Sequence, residues 1–308
     1  MDQAEQLRKM VSQNSEMPQT QAVKRNSARV ITITSGKGGV GKSSVSVNLA
    51  IWLSRLGNKV IILDADFGLA NIEVMLGIRP KYNLADLMFN GLELKDIITP
   101  GPENIGFISG GSGIQELTRL NKDQIIYLTK KLVELDGMAD IIIIDTGAGI
   151  ADSVLEFVLA STEVLLVATP EPTSITDAYA LLKTLNRKTG FDSGITKISV
   201  IANRVVNEND GLELYNKLGT VVSKFLNINI SYLGEIPMDS YMSNAVMQQK
   251  PVTLAYPDSK AGKAFVTLAG KLSGSIDENK DTKKGIAVLF TNLIKAKIMK
   301  RKKTQETK

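Results

Sequence analysis

The densest chemistry in the sequence lies in one octapeptide. Gly36-Lys37-Gly38-Gly39-Val40-Gly41-Lys42-Ser43 fits the pattern G-x-x-x-x-G-K-[ST], and Ser44 follows it. Glycines let a backbone turn tightly, so that successive N–H groups converge on phosphate oxygens. A helix opening at the end of the loop adds its positive terminus. Lys42 then belongs at the β- and γ-phosphates of a nucleoside triphosphate, and the Ser43 hydroxyl belongs on Mg²⁺. Three aspartates close apolar runs elsewhere: Asp64 and Asp66 in KVIILDAD, and Asp145 in ADIIIID. Two carboxylates at one strand end repel each other unless a metal ion or a water network separates their roles. The plainer alternative is that they merely cap the strand. The 308 residues include no cysteine and no histidine. That excludes thiol nucleophiles, disulfides, Cys/His zinc sites and a histidine general base. Carboxylate, lysine, hydroxyl and backbone chemistry remain.

The elements that must position these groups are legible as runs. RVITITS (29–35), KVIILDAD (59–66), ADIIIID (139–145), EVLLVAT (163–169), KISVIAN (197–203) and NISYLGEI (229–236) are apolar on both faces, as buried strands are. A helical pattern through Val47, Leu49, Ala50 and Leu53 follows the glycine-rich loop and stops near Gly57. Further helix-length segments span 121–135, 151–160, 174–188 and 210–226. Alternating strands and helices predict a single α/β domain over 28–275, a mostly parallel sheet with helices on both faces. Apolar residues at 43% and charged residues at 22% fit a globular protein. Residues 1–27 read as a short helix, with Ala4, Leu7 and Val11 on one face, and a polar linker. Residues 276–308 read as a charged linker and a final helix. No run of about 18 apolar residues occurs, so no transmembrane helix is expected. MDQAEQLRKM has no apolar stretch of the kind a secretory signal needs.

The form KGGVGKSS resembles the deviant phosphate loop of the MinD/ParA family of P-loop ATPases. LDADFGLANIEVMLG (63–77) resembles that family's first switch segment, and IIIIDTGAGI (141–150) its second. The resemblance covers about 28–272 and implies ATP and Mg²⁺ as ligands. It implies that Lys37 crosses a homodimer interface to the partner's nucleotide. It puts Asp66 on the attacking water, Asp64 near the metal, and Asp145 on a metal-bound water. Asn203 and Arg204 match the family's adenine-recognition position, and Pro237 and Met238 a second loop flanking the base. Family members that carry metal clusters use cysteines, and this chain has none.

The two ends refine the expectation. Residues 283–308 hold nine of the 37 bases and one of the 32 acids, leaving 28 bases against 31 acids elsewhere. Ile286, Leu289, Phe290, Leu293, Ile294 and Ile298 form one apolar helix face beside these bases, a pattern suited to an anionic membrane surface. A core helix with a solvated basic end and a DNA-binding tail are the alternatives. DQAEQLR resembles the activator element of the FlhG (YlxH/FleN) group, MinD-like regulators of flagellar number and placement. In that group the element stimulates FlhF, a GTPase of the signal-recognition-particle type. The matching residues are Asp2, Gln3, Ala4, Leu7 and Arg8. The resemblance implies a cytoplasmic ATPase, peripherally bound to the inner face of the cell membrane. Its implied partners are FlhF, flagellar C-ring proteins and anionic lipids; specific nucleic-acid binding is not expected. The alternatives are a MinD-type division-site regulator and a ParA-like DNA-segregation ATPase.

Overall fold

The computed structural model describes residues 27–66, 71–111, 127, 131–189 and 191–274. Eight strands form one sheet: β1 (Arg29–Ser35), β2 (Val60–Ala65), β3 (Thr99–Pro100), β4 (Gly106–Ile108), β5 (Ile141–Ala148), β6 (Glu163–Ala168), β7 (Lys197–Val205) and β8 (Ile230–Pro237). Their spatial order is β3-β4-β2-β5-β1-β6-β7-β8. Every pairing is parallel except β3 with β4. β1 thus lies centrally between β5 and β6, and the loop that leaves its end is flanked by the ends of both neighbours.

The apolar runs are buried on both faces, and alternate residues enter different cores. Ile31, Ile33, Val60, Ile62, Ile141 and Ile143 pack on one side. Val30, Ile61, Leu63, Ile142 and Ile144 pack on the other. A third cluster covers the β6–β7 half of the sheet. The helices covering these faces include α1 (Lys42–Arg55), α2 (Asn71–Leu76), α3 (Leu84–Phe89), α4 (Asp152–Ala160), α5 (Pro172–Asn186), α6 (Asp210–Phe225), α7 (Ser240–Met247), α8 (Val252–Ala255) and α9 (Lys260–Gly274).

Helix α1 is buried almost all round, from Lys42 through Leu53. A helix buried on every side needs partners on every side; α1 lies between the sheet and α9, sharing a core with Phe265, Leu268 and Leu272. Among its buried polar residues, Asn48 makes three hydrogen bonds. The Asn48 amide donates to Ser44 O at 2.8 Å, and its oxygen accepts from the backbone and hydroxyl of Thr253 at 3.0 and 2.9 Å. The helix ends at Arg55, and Gly57 turns the chain with φ of 92°.

The predicted strands occur within a few residues of their expected limits. The pattern at 139–145 continues to Ala148, and that at 197–203 to Val205. Strands β3 and β4 and helices α2, α3, α7, α8 and α9 are additions. Most of the 121–135 helix pattern lies outside the described residues, as do the 2–11 pattern and the basic amphipathic tail. No helix among the described residues is long and apolar enough to cross a membrane.

Candidate functional site

The glycine-rich loop joins the C-terminal end of β1 to α1, and each conformational requirement falls on a glycine. Gly41 has φ of 94° and immediately precedes the helix, a left-handed geometry that favours glycine. Gly36 has ordinary φ, but a Cβ there would collide with the backbone of Asp177 and Ala178 on α5. Asn203, at the end of β7, donates its amide to Val40 O in the loop at 2.7 Å and accepts from Arg204 N at 2.9 Å. The residue expected to recognise the base thus ties the end of β7 to the phosphate loop. Arg204 sits at φ of 59° in an irregularity of the β7–β8 pairing. Met238 N donates to Val205 O at 2.7 Å, next to Pro237, and the Met238 side chain is exposed.

Asp66 and Asp145 lie close enough to Lys42 to feel its charge, and Asp64 sits beside both of them. Asp64 and Asp145 pair in register on β2 and β5, and both are buried. One Asp64 oxygen accepts from Asp66 N at 3.1 Å and the other from Ile72 N at 3.3 Å. Asp66 lies just past the strand end and accepts from the Asn71 amide at 3.0 Å. It faces Gly147, where a Cβ would come within 3.3 Å of its carboxylate. Gly149 N donates to Ser35 O at 2.8 Å, so the two loops touch directly. Ser46 donates to one Asp145 oxygen at 2.8 Å.

Burial dominates the electrostatics. The Asp64 carboxyl is pushed up to about 7, first by burial and then by the Asp145 charge. Asp145 is also raised by burial, against the pull of Lys42 and the Ser43 and Ser46 hydroxyls. Asp66 is raised by burial, against Lys42 and Asn71. Lys42, itself buried, supplies positive charge, and the pocket still disfavours ionised carboxylates. The second Asp145 oxygen is buried without a hydrogen-bond partner. A divalent cation suits this donor set: an orphaned carboxylate oxygen, the Ser43 hydroxyl beside it, and a second carboxylate in need of countercharge. No group of three or more acidic side chains forms a closed cage among the described residues. Mg²⁺ does not need one, because it binds through one or two carboxylates, substrate phosphates and water.

Lys37 points elsewhere. Its ammonium lies 2.9 Å from Glu171 Oε2 and 2.9 Å from Thr173 Oγ1, at the start of α5. The structure thus brings Lys42, Ser43, Asp64, Asp66 and Asp145 together, puts Asn203 against the same loop, and leaves Lys37 at the rim. Asp2, Gln3, Ala4, Leu7 and Arg8, and the tail residues from Ile286 to Ile298, lie outside the described residues. Sequence reasoning missed Ser46, Asn71, Glu171 and Thr173. Ser46 had a signal, since it falls three residues after Ser43 on one helix face. Glu171 had none: it is 134 residues from Lys37 along the chain.

Comparison with known proteins agrees with this geometry. The ParA family model, described as the NUBPL iron-transfer P-loop NTPase, matches residues 26–273. The antiactivator FleN of Pseudomonas aeruginosa is 45% identical, across 79% of this chain and 86% of its own length. The flagellum site-determining protein YlxH of Helicobacter pylori is 32% identical, across 88% of this chain and 91% of its own. Among solved structures, the septum site-determining protein MinD of Pyrococcus horikoshii, complexed with Mg-ADP, superposes with a TM-score of 0.66 at 27% identity. It covers 82% of this chain and 98% of that one. With relatives of this identity and coverage, and a phosphate loop held against paired aspartates in their fold, the chain belongs to the FleN/YlxH group of the MinD/ParA family of P-loop ATPases.

Proposed function

We propose that this chain is an ATP-driven dimerising switch that regulates flagellar number or placement. The observation that carries the reading is the gathering of Asp64 and Asp66 around Asp145, with Lys42 acting on the latter two, behind a phosphate loop that also presents a second lysine, Lys37. Backbone N–H groups of residues 38–43 and the Lys42 ammonium bind the triphosphate. Ser43, Asp64 and Asp145 would hold Mg²⁺, directly or through water, and the ion would neutralise charge on the phosphates. Asp66, steadied by Asn71, orients the attacking water. Positioning and charge stabilisation carry most of phosphoryl transfer, so small displacements of these groups matter. Lys37 reaches the partner's nucleotide in the ATP dimer. Asn203 and Arg204, with the backbone at Pro237 and Met238, flank the base.

The tail helix at 283–303 would hold the dimer on the inner face of an anionic membrane, each near-surface base adding about 1 kcal/mol. Residues 2–8 would stimulate FlhF, and C-ring proteins would be further partners. The test is an ATPase assay with and without anionic vesicles and FlhF, using the parent chain and Phe290→Glu. Turnover that rises with vesicles in the parent and not in Phe290→Glu supports the reading. Equal vesicle binding by the two chains removes the membrane role of the tail, and tight non-specific DNA binding would favour a DNA-segregation role instead.

A further inference from the structure

The position of Lys37 in the single chain is unusual for a basic side chain. Its ammonium rests at the N-terminal end of α5, between Glu171, which precedes the helix, and Thr173 in its first turn. A helix N-terminus carries partial positive charge and repels cations. Arg204 adds a second positive charge close enough to act on Glu171. The Glu171 carboxylate is thus the group that makes this resting place favourable. Its acidity reports the same balance: the Lys37 hydrogen bond holds it below the usual carboxylate range, with Arg204 contributing less. Both partners are open to solvent, with side chains 37% and 53% exposed, so the contact can break without unfolding anything.

We propose that Glu171 is a positioning residue that holds Lys37 within its own subunit and so sets the protein concentration at which the ATP dimer forms. This rests on the reading of Lys37 as the cross-subunit lysine. In a two-fold dimer each subunit must release its own Lys37, so the opposing term counts twice. Arg204 stays beside Glu171 after the lysine leaves, which keeps the emptied carboxylate compensated. Thr173 contributes a neutral acceptor and a smaller share of the hold.

The experiment measures ATP-dependent dimerisation against protein concentration by sedimentation for the parent, Glu171→Gln, Thr173→Val and Lys37→Ala. Exposed ion pairs are individually weak. Two of them together predict a midpoint shifted to lower concentration by about fivefold in Glu171→Gln, with Thr173→Val between it and the parent. A Glu171→Gln midpoint equal to or above that of the parent, with Lys37→Ala unable to dimerise, overturns the proposal and leaves the role of Lys37 standing. Lys37→Ala dimerising like the parent removes the cross-subunit lysine and the proposal with it.

Discussion

At the scale of single residues, the site concentrates negative charge where water is scarce. Asp66→Ala should keep the phosphate and metal ligands and lose the carboxylate that orients water. Hydrolysis should fall by at least about a hundredfold, while an ATP-dependent dimer persists in light scattering. Normal turnover would make Asp66 a plain strand-end residue. Asp64 leads to a second prediction. An acid whose folded-state value lies above its unfolded one keeps its proton longer in the folded protein, so stability falls as pH rises between the two. For Asp64 that window runs from 3.8 to about 7. Metal- and nucleotide-free protein should therefore melt progressively lower across it, and Asp64→Asn should flatten the slope and raise Tm at neutral pH. A slope unchanged in the variant would show that another group sets it. Lys42, Ser43, Asp64 and Asp145 were legible in the sequence because the motif fixes their spacing and strand ends fix their place. Glu171 and Asn71 were not, since their roles arise from contacts the fold creates.

At the scale of elements, the phosphate loop depends on its neighbours as much as on its own glycines. Gly36 is required by the approach of α5, whereas a Cβ on Gly38 would meet nothing within 4 Å. Gly36→Ala should therefore cost roughly 1–3 kcal/mol through overpacking and lower Tm by several degrees, while Gly38→Ala leaves the fold intact. Thermal melts of the two variants without nucleotide separate the cases, and equal melting would mean that α5 yields. The parallel strands could be read from the sequence because burial on both faces leaves an unbroken apolar run, as in IIII at 141–144. Strands β3 and β4 could not: two and three residues carry no period. Helix α9 was also hidden. Its glycines lower helix propensity, yet Gly262 is demanded by packing, because a Cβ there would run into the Tyr256 and Pro257 carbonyls.

At the scale of the whole molecule, the charge is divided: a mildly acidic body precedes a strongly basic final segment. The ATPase body spans the matched region 26–273, and the elements proposed to act on other molecules lie beyond it at either end. A helix of about ten residues is marginal alone in water, so residues 2–11 should gain their order on a partner, at an entropic cost. The sequence predicts a polar linker at 12–27 between that element and the body. A peptide of residues 1–20 should then accelerate the GTPase of FlhF without help from residues 28–308. Gln3→Ala should lose the effect, since a neutral amide can orient water or touch phosphate oxygens and an alanine cannot. Leu7→Ala should weaken docking instead, so a higher peptide concentration should restore part of the rate. Deleting residues 1–20 should leave this chain's own ATPase and vesicle binding unchanged, because the proposed reading assigns those activities to the loop 36–43 and the tail 283–303. A peptide without effect at any concentration would detach the N-terminus from FlhF, and the nucleotide switch would then have to reach its partners through the body or the tail.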